Sequence, residues 1–236
     1  MKICVVGNSH VGSLKLGWDM IKDQMPEHQI VFFGSPGARL RHLRINQGTL
    51  VSVDPQLHKD LIATSGQGAV IDPKAFDAVL LYGLQLPFPR LRKGISRAVV
   101  KATVKDLVTD KLAFRVAERF RKIMTGPFWI GSNPLQGARS EDIEPGTYHP
   151  YDMLLAEVQA AFPLSGVTFL DQPPETIRPD LRAPVQFSAG STRLLTEEDS
   201  DELIEHSAND ISHMNGDYGR LWLQHNLPRI TQAAAA

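Results

Sequence analysis

The stretch that decides the fold is Ile3-Cys4-Val5-Val6-Gly7-Asn8-Ser9, which is followed by the segment 11–21. A short apolar run with β-branched residues that ends at a glycine is typical of a buried strand, and 11–21 predicts the helix after it. Ser9 then lies in the turn at the carboxyl end of the strand. Ligands bind at this end of open α/β sheets, so Ser9 is a candidate nucleophile. The alternative is that Asn8 or Ser9 only caps the helix, because both residue types are favoured N-caps.

Other apolar runs have the same pattern of buried strands, at 29–33, 78–82, 128–130 and 167–170. Helices are predicted between or after them, at 151–158, at 216–226 and in a basic helical region at about 90–124. The segment 49–53 predicts a hairpin or an edge strand. Strands that alternate with helices predict an α/β fold, a three-layer α/β/α sandwich with a central parallel sheet of about five strands. We expect a single domain over 1–232, with a loop insertion at about 134–150.

A second polar motif, Asp210-Ile211-Ser212-His213, lies far downstream. Its carboxylate and imidazole are three residues apart, which a turn or the start of a helix brings to one side. A serine hydroxyl is a weak nucleophile until a base removes its proton, and a carboxylate that orients the base completes the set. Taken alone, His213 is more often a surface or structural histidine and Asp210 a helix cap. Together with Ser9 at the end of a strand, the pair favours a serine hydrolase.

At these residues the chain resembles the SGNH/GDSL hydrolase family, over the range from residue 3 to about 225. Gly7-Asn8-Ser9 resembles the family's G-D-S block with Asn in place of Asp, and Asp210 with His213 matches its D-x-x-H block in full. The resemblance implies a flavodoxin-like arrangement of the sheet, with Ser9 as nucleophile, His213 as base and Asp210 as the residue that orients it. It also implies hydrolysis of small acyl esters, O-acetylated carbohydrate being the first expectation.

The middle blocks of the family pattern are weaker here. Gly34 or Gly37, after the second strand, offers a backbone N–H to an oxyanion, and Gly37 is the preferred candidate; the alternative is an ordinary Pro-Gly turn. After the third strand, Gln85 stands where the family has Asn, and its longer side chain places the donor differently. Asn133, after the fourth strand, is a second candidate donor, unless it only opens an Asn-Pro turn.

Three further residues are candidate substrate-binding groups: Asn8 and His10, which flank Ser9, and Tyr148 in the loop insertion. The loop is rich in Gly, Pro and charge and is long for a routine connection, so it is a candidate lid or rim that also carries Arg139 and His149. The alternative is a solvated loop without a contact role.

Composition narrows the function classes. The chain has 236 residues, 42% hydrophobic and 22% charged, and a net charge of −1, which gives no reason to expect nucleic acid as a partner. Its single cysteine, Cys4, excludes an internal disulfide and predicts a buried, inert thiol. The sequence has neither zinc-type histidine spacing nor a phosphate-binding glycine signature, so we expect no metal and no cofactor. With no signal peptide and no run of about 18 apolar residues, we expect a cytoplasmic protein without a membrane span.

Charged segments leave two interpretations open. The basic region at 90–124 is either a surface for acidic glycans, acyl-carrier proteins or phospholipid headgroups, or simply a solvated helix face, which is the favoured interpretation. The acidic run at 197–202 predicts the first turn of a helix capped by Thr196.

Two alternatives to the esterase remain open. The same three residues would serve an acyltransferase that passes the acyl group to a sugar or another hydroxyl. The altered third block also allows a binding protein that retains the SGNH fold without the chemistry. The sequence does not specify the acyl chain, the alcohol or the oligomeric state.

Overall fold

The computed structural model describes residues 1–143, 146–196 and 203–234. Its strands are β1 (Lys2–Gly7), β2 (Gln29–Gly34), β3 (Leu43–Asn46), β4 (Thr49–Ser52), β5 (Ala78–Tyr82), β6 (Phe128–Gly131) and β7 (Thr168–Leu170). Its helices are α1 (Val11–Ile21), α2 (Pro55–Ser65), α3 (Arg97–Val108), α4 (Leu112–Arg121), α5 (Tyr151–Ala161) and α6 (Gly216–Ala234).

The central sheet is parallel and has five strands in the order β2-β1-β5-β6-β7. The register pairs Gly7 with Gly34 on one side and with Tyr82 on the other, so these three strands end at the same level. The chain adds β2 on one side of β1 and then adds β5 on the other. This reversal of direction makes the carboxyl end of β1 the topological switch point, where ligands bind in open α/β sheets.

Helices cover both faces of the sheet. Along β1, Cys4 and Val6 belong to a core shared with α2, α3, α4 and α5, whereas Ile3 and Val5 belong to a core shared with α1 and α6. Successive residues of a strand point to opposite faces, which is why a continuous apolar run fills two cores. The predicted three-layer α/β/α sandwich with five central parallel strands is confirmed. Burial raises the pKa of the Cys4 thiol, so this side chain is the inert group that was predicted.

Helices α1 and α6 touch backbone to backbone through two glycines. A Cβ on Gly17 would lie 2.9 Å from the Cα of Arg220 and closer still to its nitrogen. A Cβ on Gly219 would overlap the carbonyl group of Ser13. Since real Cβ atoms essentially never approach other atoms within 3.0 Å, this crossing requires glycine at both positions. Helix α1 follows Ser9 and α6 follows His213, so the crossing joins the two parts of the chain that carry the candidate site.

Helix α2 was not predicted from the sequence, although its end signals are present. Asp54 is the N-cap and accepts a 2.7 Å hydrogen bond from the N–H of Leu57, and Pro55 occupies the first helical position. Gly66 ends the helix in the left-handed conformation, with φ +64°.

Other differences concern the ends of elements. The basic region contains two helices, α3 and α4, and the first of them begins only at residue 97. Helix α6 extends to residue 234, beyond the predicted end at 226, and the segment 49–53 forms the predicted hairpin through β3 and β4. The helix predicted from the acidic run at 197–202 lies outside the described residues, as do positions 144 and 145 of the loop insertion.

In the described ranges, none of the helices combines the length and the apolar character that crossing a membrane requires.

Candidate active site

Ser9 lies in the turn between β1 and α1, at the switch point of the sheet. The turn is held by two backbone hydrogen bonds, from Val11 N–H to Asn8 O at 3.0 Å and from Gly12 N–H to Ser9 O at 3.1 Å. The residue at the N-cap position of α1 is His10, and its side chain makes no capping hydrogen bond. Ser9 is half-buried.

The structure brings the two distant motifs together. The Oγ of Ser9 lies 2.9 Å from Nε2 of His213, and Nδ1 of His213 lies 2.9 Å from Oδ2 of Asp210. The other carboxylate oxygen accepts hydrogen bonds from the N–H groups of Ser212, at 2.7 Å, and His213, at 3.0 Å. Asp210 therefore fixes both the backbone turn and the ring of His213, which the spacing of the motif predicted.

The electrostatics of Asp210 suit this arrangement. Burial raises the pKa of its carboxyl group, but the hydrogen bonds from the His213 ring and from two backbone N–H groups outweigh burial and lower the pKa to about 2. The carboxylate is therefore ionised at neutral pH and accepts a hydrogen bond from the protonated Nδ1 of His213. This tautomer leaves Nε2 as the acceptor for the Ser9 hydroxyl proton.

His213 lies in a stack of three imidazoles, which we call the histidine stack: His10, His213 and His206. The His206 ring lies 3.9 Å from the His213 ring at an interplanar angle of 10°, and the centroid of the His10 ring lies 5.1 Å from that of His213 at a tilted angle of 31°. Burial, together with the neighbouring His213, lowers the pKa of His10 to about 3, so this ring is neutral. His206 was not predicted as a site residue, although its position four residues before Asp210 is a signal that a helical turn would place it nearby.

His206, Asp210 and His213 also carry donor atoms within 4.8 Å of one another, a grouping found in metal sites. The stacking of the two rings disfavours that use. An imidazole lone pair lies in the plane of its ring, and the two planes are nearly parallel and separated by the stacking distance. One ion cannot lie in both planes at a normal bond length of about 2.1 Å.

The loop after β2 carries the glycines considered for the oxyanion hole. The N–H of Gly34 donates to Oγ1 of Thr64 at 2.9 Å and is thus engaged with α2. Ser35 donates to the buried carboxylate of Asp60 at 2.5 Å, which anchors the loop to the same helix. Gly37 is exposed and has a left-handed φ of +66°. Since the N–H of Gly34 is already engaged with Thr64, Gly37 stays the preferred candidate of the two. Its role in an oxyanion hole stays a prediction.

The turn after β5, which carries Gln85, has an unusual backbone. Gly83, Leu84 and Gln85 have φ values of +74°, +59° and +57°. Left-handed conformations cost non-glycine residues roughly 1 kcal/mol or more each, and such strain is typical of functional turns. Gln85 is exposed.

Asn133 holds this strained turn and also faces the site. Its Oδ1 accepts a hydrogen bond from Leu86 N–H at 3.1 Å, and its own N–H donates to Leu86 O at 2.9 Å. The side-chain amide N–H₂ group remains as a donor. Asn133 lines a cavity of about 340 Å³ whose wall includes His10, Phe88, Asn133, Leu181, Arg182 and Ser212. It is therefore better placed than Gln85 to donate to a ligand beside the histidine stack.

No protein-family model matches the sequence, and no curated protein matches it. Among solved structures, the chain is similar to the periplasmic domain of a lipopolysaccharide acetyltransferase from Salmonella ser. Paratyphi A, with a TM-score of 0.52 and 11% identity. That match covers 98% of this chain and 83% of the other. A carbohydrate acetylesterase family member from Sinorhizobium meliloti is similar with a TM-score of 0.43 and 11% identity, over 100% of both chains.

The chain shares the fold of the acetyltransferase domain. At 11% identity, this likeness establishes the shared architecture and nothing about activity. The α/β fold predicted from the sequence is confirmed, and the roles of individual residues rest on the geometry described above.

The predicted substrate-binding residues have different environments. His10 lines the cavity. Asn8 is 5% exposed, and its Oδ1 accepts a 3.3 Å hydrogen bond from His10 N–H. Tyr148 is 6% exposed and packs under the guanidinium of Arg90, 4.4 Å from its ring centroid. Asn8 and Tyr148 are thus held by protein groups in this structure, and a contact of either with substrate stays a prediction.

A larger cavity, of about 850 Å³, opens at the amino ends of β6 and β7, where Phe128 and Thr168 line it. This is the opposite end of the sheet from Ser9. We place the candidate site at the smaller cavity because His10 and Ser212, the chain neighbours of Ser9 and His213, line it.

Proposed function

We propose that this protein is a serine-dependent hydrolase of acyl esters. The observation that carries the proposal is the hydrogen-bonded series from Ser9 through His213 to Asp210, with both distances at 2.9 Å. These are the separations at which a base removes a hydroxyl proton and a carboxylate orients that base.

The proposed reaction has two halves. In the first, Oγ of Ser9 attacks the ester carbonyl while Nε2 of His213 takes its proton, and the departing alkoxide then receives that proton and leaves as the alcohol. In the second, water attacks the acyl-enzyme and gives a proton to His213. The proton returns to Oγ of Ser9 as the carboxylic acid leaves. Asp210 stays ionised throughout and stabilises the imidazolium.

The tetrahedral intermediate needs donors for its oxyanion. The N–H of Ser9 has no acceptor among the described residues and is the first candidate. We propose that the N–H of Gly37 and the side-chain amide of Asn133 assist it, with Gln85 as the weaker candidate because its side chain is exposed. Each such donor is worth roughly 3 kcal/mol of transition-state stabilisation.

We propose an O-acetylated carbohydrate as the substrate class. The cavity beside His10 combines an aromatic and an aliphatic side chain, Phe88 and Leu181, with the polar groups of Asn133 and Arg182. A pocket with apolar walls and a few polar groups suits a small polyhydroxyl ligand that carries an acetyl group.

Acyl transfer is the second candidate, because the structure with the TM-score of 0.52 is an acetyltransferase domain. The first half-reaction would be the same, and an acceptor hydroxyl would replace water in the second. Product analysis separates the two: with an acetyl ester and an oligosaccharide present, a hydrolase yields acetate, whereas a transferase yields the acetylated oligosaccharide.

The decisive experiment is labelling with a fluorophosphonate probe, which forms a stable bond with an activated serine. We expect the wild type to be labelled at Ser9 and Ser9→Ala to be unlabelled. Ser212→Ala is the matched control, since it removes a neighbouring serine hydroxyl and retains Ser9. If the folded wild type is not labelled at Ser9, the hydrolase proposal fails and the alternative of an inactive binding protein is favoured.

A further inference from the structure

The histidine stack contains a side chain that the proposed mechanism does not use. His206 lies against one face of His213, with ring centroids 3.9 Å apart and an interplanar angle of 10°. Its Nδ1 also lies 3.5 Å from Oδ2 of Asp210, the oxygen that holds Nδ1 of His213. One carboxylate oxygen thus faces two imidazoles, of which only one reaches Ser9.

His206 is itself held in place from outside the site. Its backbone N–H donates to Ser191 O at 2.8 Å, and in the same ladder Arg193 N–H donates to Ile204 O at 2.8 Å. Thr192 and Glu205 form an antiparallel bridge between these bonds. The ladder places the His206 ring independently of the turn that carries Asp210 and His213.

A base in this position needs a fixed ring plane. A histidine ring rotates readily about its terminal torsion, which is broad, and a rotated ring would turn Nε2 away from Ser9. The hydrogen bond to Asp210 fixes one edge of the ring only. The stacked ring of His206 at 3.9 Å, together with the tilted ring of His10 at 5.1 Å, restricts the remaining rotation.

The charge state of His206 is compatible with this contact. Burial and the nearby His213 lower its pKa, which favours the neutral form of the ring beside His213. The titratable and charged groups that act on it are His213, Asp210, Arg193 and His10, and a backbone hydrogen bond with Thr192 raises its pKa. A charged His206 would oppose the imidazolium that forms beside it.

We propose that His206 is a positioning residue for the base: its ring face holds His213 in the plane that directs Nε2 at Ser9. The inference rests on the proposed hydrolase function, because it assigns a role relative to the Ser9 reaction. Substrate is not contacted by His206 in this role.

The test compares His206→Ala, which removes the ring face, with His206→Phe, which keeps a ring face and removes both nitrogens. Steady-state hydrolysis of p-nitrophenyl acetate gives kcat and KM. For His206→Ala we expect kcat to fall roughly 10-fold or more with KM nearly unchanged, since misplacing a catalytic group lowers the rate of the chemical step. His206→Phe should recover most of kcat. His58→Ala is the control, since His58 is an exposed histidine on α2.

A spectroscopic measurement separates positioning from a general loss of structure. The Nδ1 proton of His213, in its hydrogen bond to Asp210, should give a resolved downfield proton resonance in the wild type and in His206→Phe. In His206→Ala this resonance should broaden or vanish while the rest of the spectrum remains that of a folded protein.

The outcomes are distinct. Wild-type kcat and an unchanged resonance in His206→Ala would overturn the inference, as would a His206→Phe variant as slow as His206→Ala. Labelling of wild-type Ser9 by the fluorophosphonate probe tells these results apart from a failure of the hydrolase proposal, because a labelled wild type leaves that proposal standing.

Discussion

The glycine crossing of α1 and α6 makes a sharp prediction for Gly219→Ala. The added Cβ would overlap the carbonyl group of Ser13 and come to 3.0 Å from the nitrogen of Leu14. Both of these neighbours are backbone atoms of α1, so no side-chain rotation relieves the overlap. The two helices must therefore move apart.

The magnitude follows from that separation. Relief of the overlap requires a shift of roughly 1 Å, and overpacking of this kind costs about 1 to 3 kcal/mol of stability, with the upper end expected for contacts to backbone. The loss of activity should be larger than the loss of stability. Ser9 precedes α1 and His213 precedes α6, so the same shift changes their 2.9 Å separation, and a 1 Å misplacement lowers a rate by about 100-fold.

Urea unfolding and the rate of Ser9 labelling at low temperature measure the two effects. The matched control is Gly12→Ala in α1, the partner helix of the crossing, where a Cβ would make ordinary contacts at 3.6 Å with Leu194. This control should be neutral or stabilised by up to about 1 kcal/mol, because alanine is the better helix former. A Gly219→Ala variant with wild-type stability and labelling rate would refute the proposed role of the crossing.

Further predictions concern the site itself. Asp210→Asn should retain the fold but lower kcat by about 10⁴-fold, because an amide favours the wrong tautomer of the base; ester hydrolysis measures this, and a loss below 10-fold contradicts it. The pKa of His10 is about 3 in the folded protein and 6.5 when the side chain is exposed. Unfolding therefore takes up a proton between these two values, and the free energy of unfolding falls by up to about 1.4 kcal/mol for each pH unit as the pH drops through that interval. The midpoint of urea unfolding, plotted against pH from 7 to 4, should fall less steeply for His10→Leu than for the wild type. For His58→Gln the slope should equal that of the wild type. Asn133→Ala should slow turnover about 100-fold and Gln85→Ala less than threefold, and the reverse order would reassign the oxyanion donor.

The fold was predictable from local patterns because the central strands are short apolar runs buried on both faces. Segments such as 78–82 need no long-range information to be recognised, and the helix 11–21 was predicted with the bounds that the structure has. Helix α2 was missed although it is no less amphipathic than α5 and α6, which were predicted. Its Asp54-Pro55 start and Gly66 end were the usable signals.

The candidate site was predictable where chemistry restricts the residue types. Asp210 and His213 are three residues apart, and that spacing sufficed to pair them. The contact of His206 with His213 depends on the ladder with 191–193, a non-local pairing that no local pattern reveals. In the same way, the left-handed turn at 83–85 depends on β6 and α4, which hold it from both sides.

The crossing of α1 and α6 also bears on protein synthesis. Ser9 leaves the ribosome 204 positions before His213. At typical elongation rates of about 5 to 20 residues per second, the serine of the proposed hydrolase waits ten seconds or more for its base. During that time the parallel sheet can assemble while the proposed base is still missing. On the proposed function, a chain that terminates before His213 would leave Ser9 unactivated, since the base arrives only with the segment that docks α6 on α1.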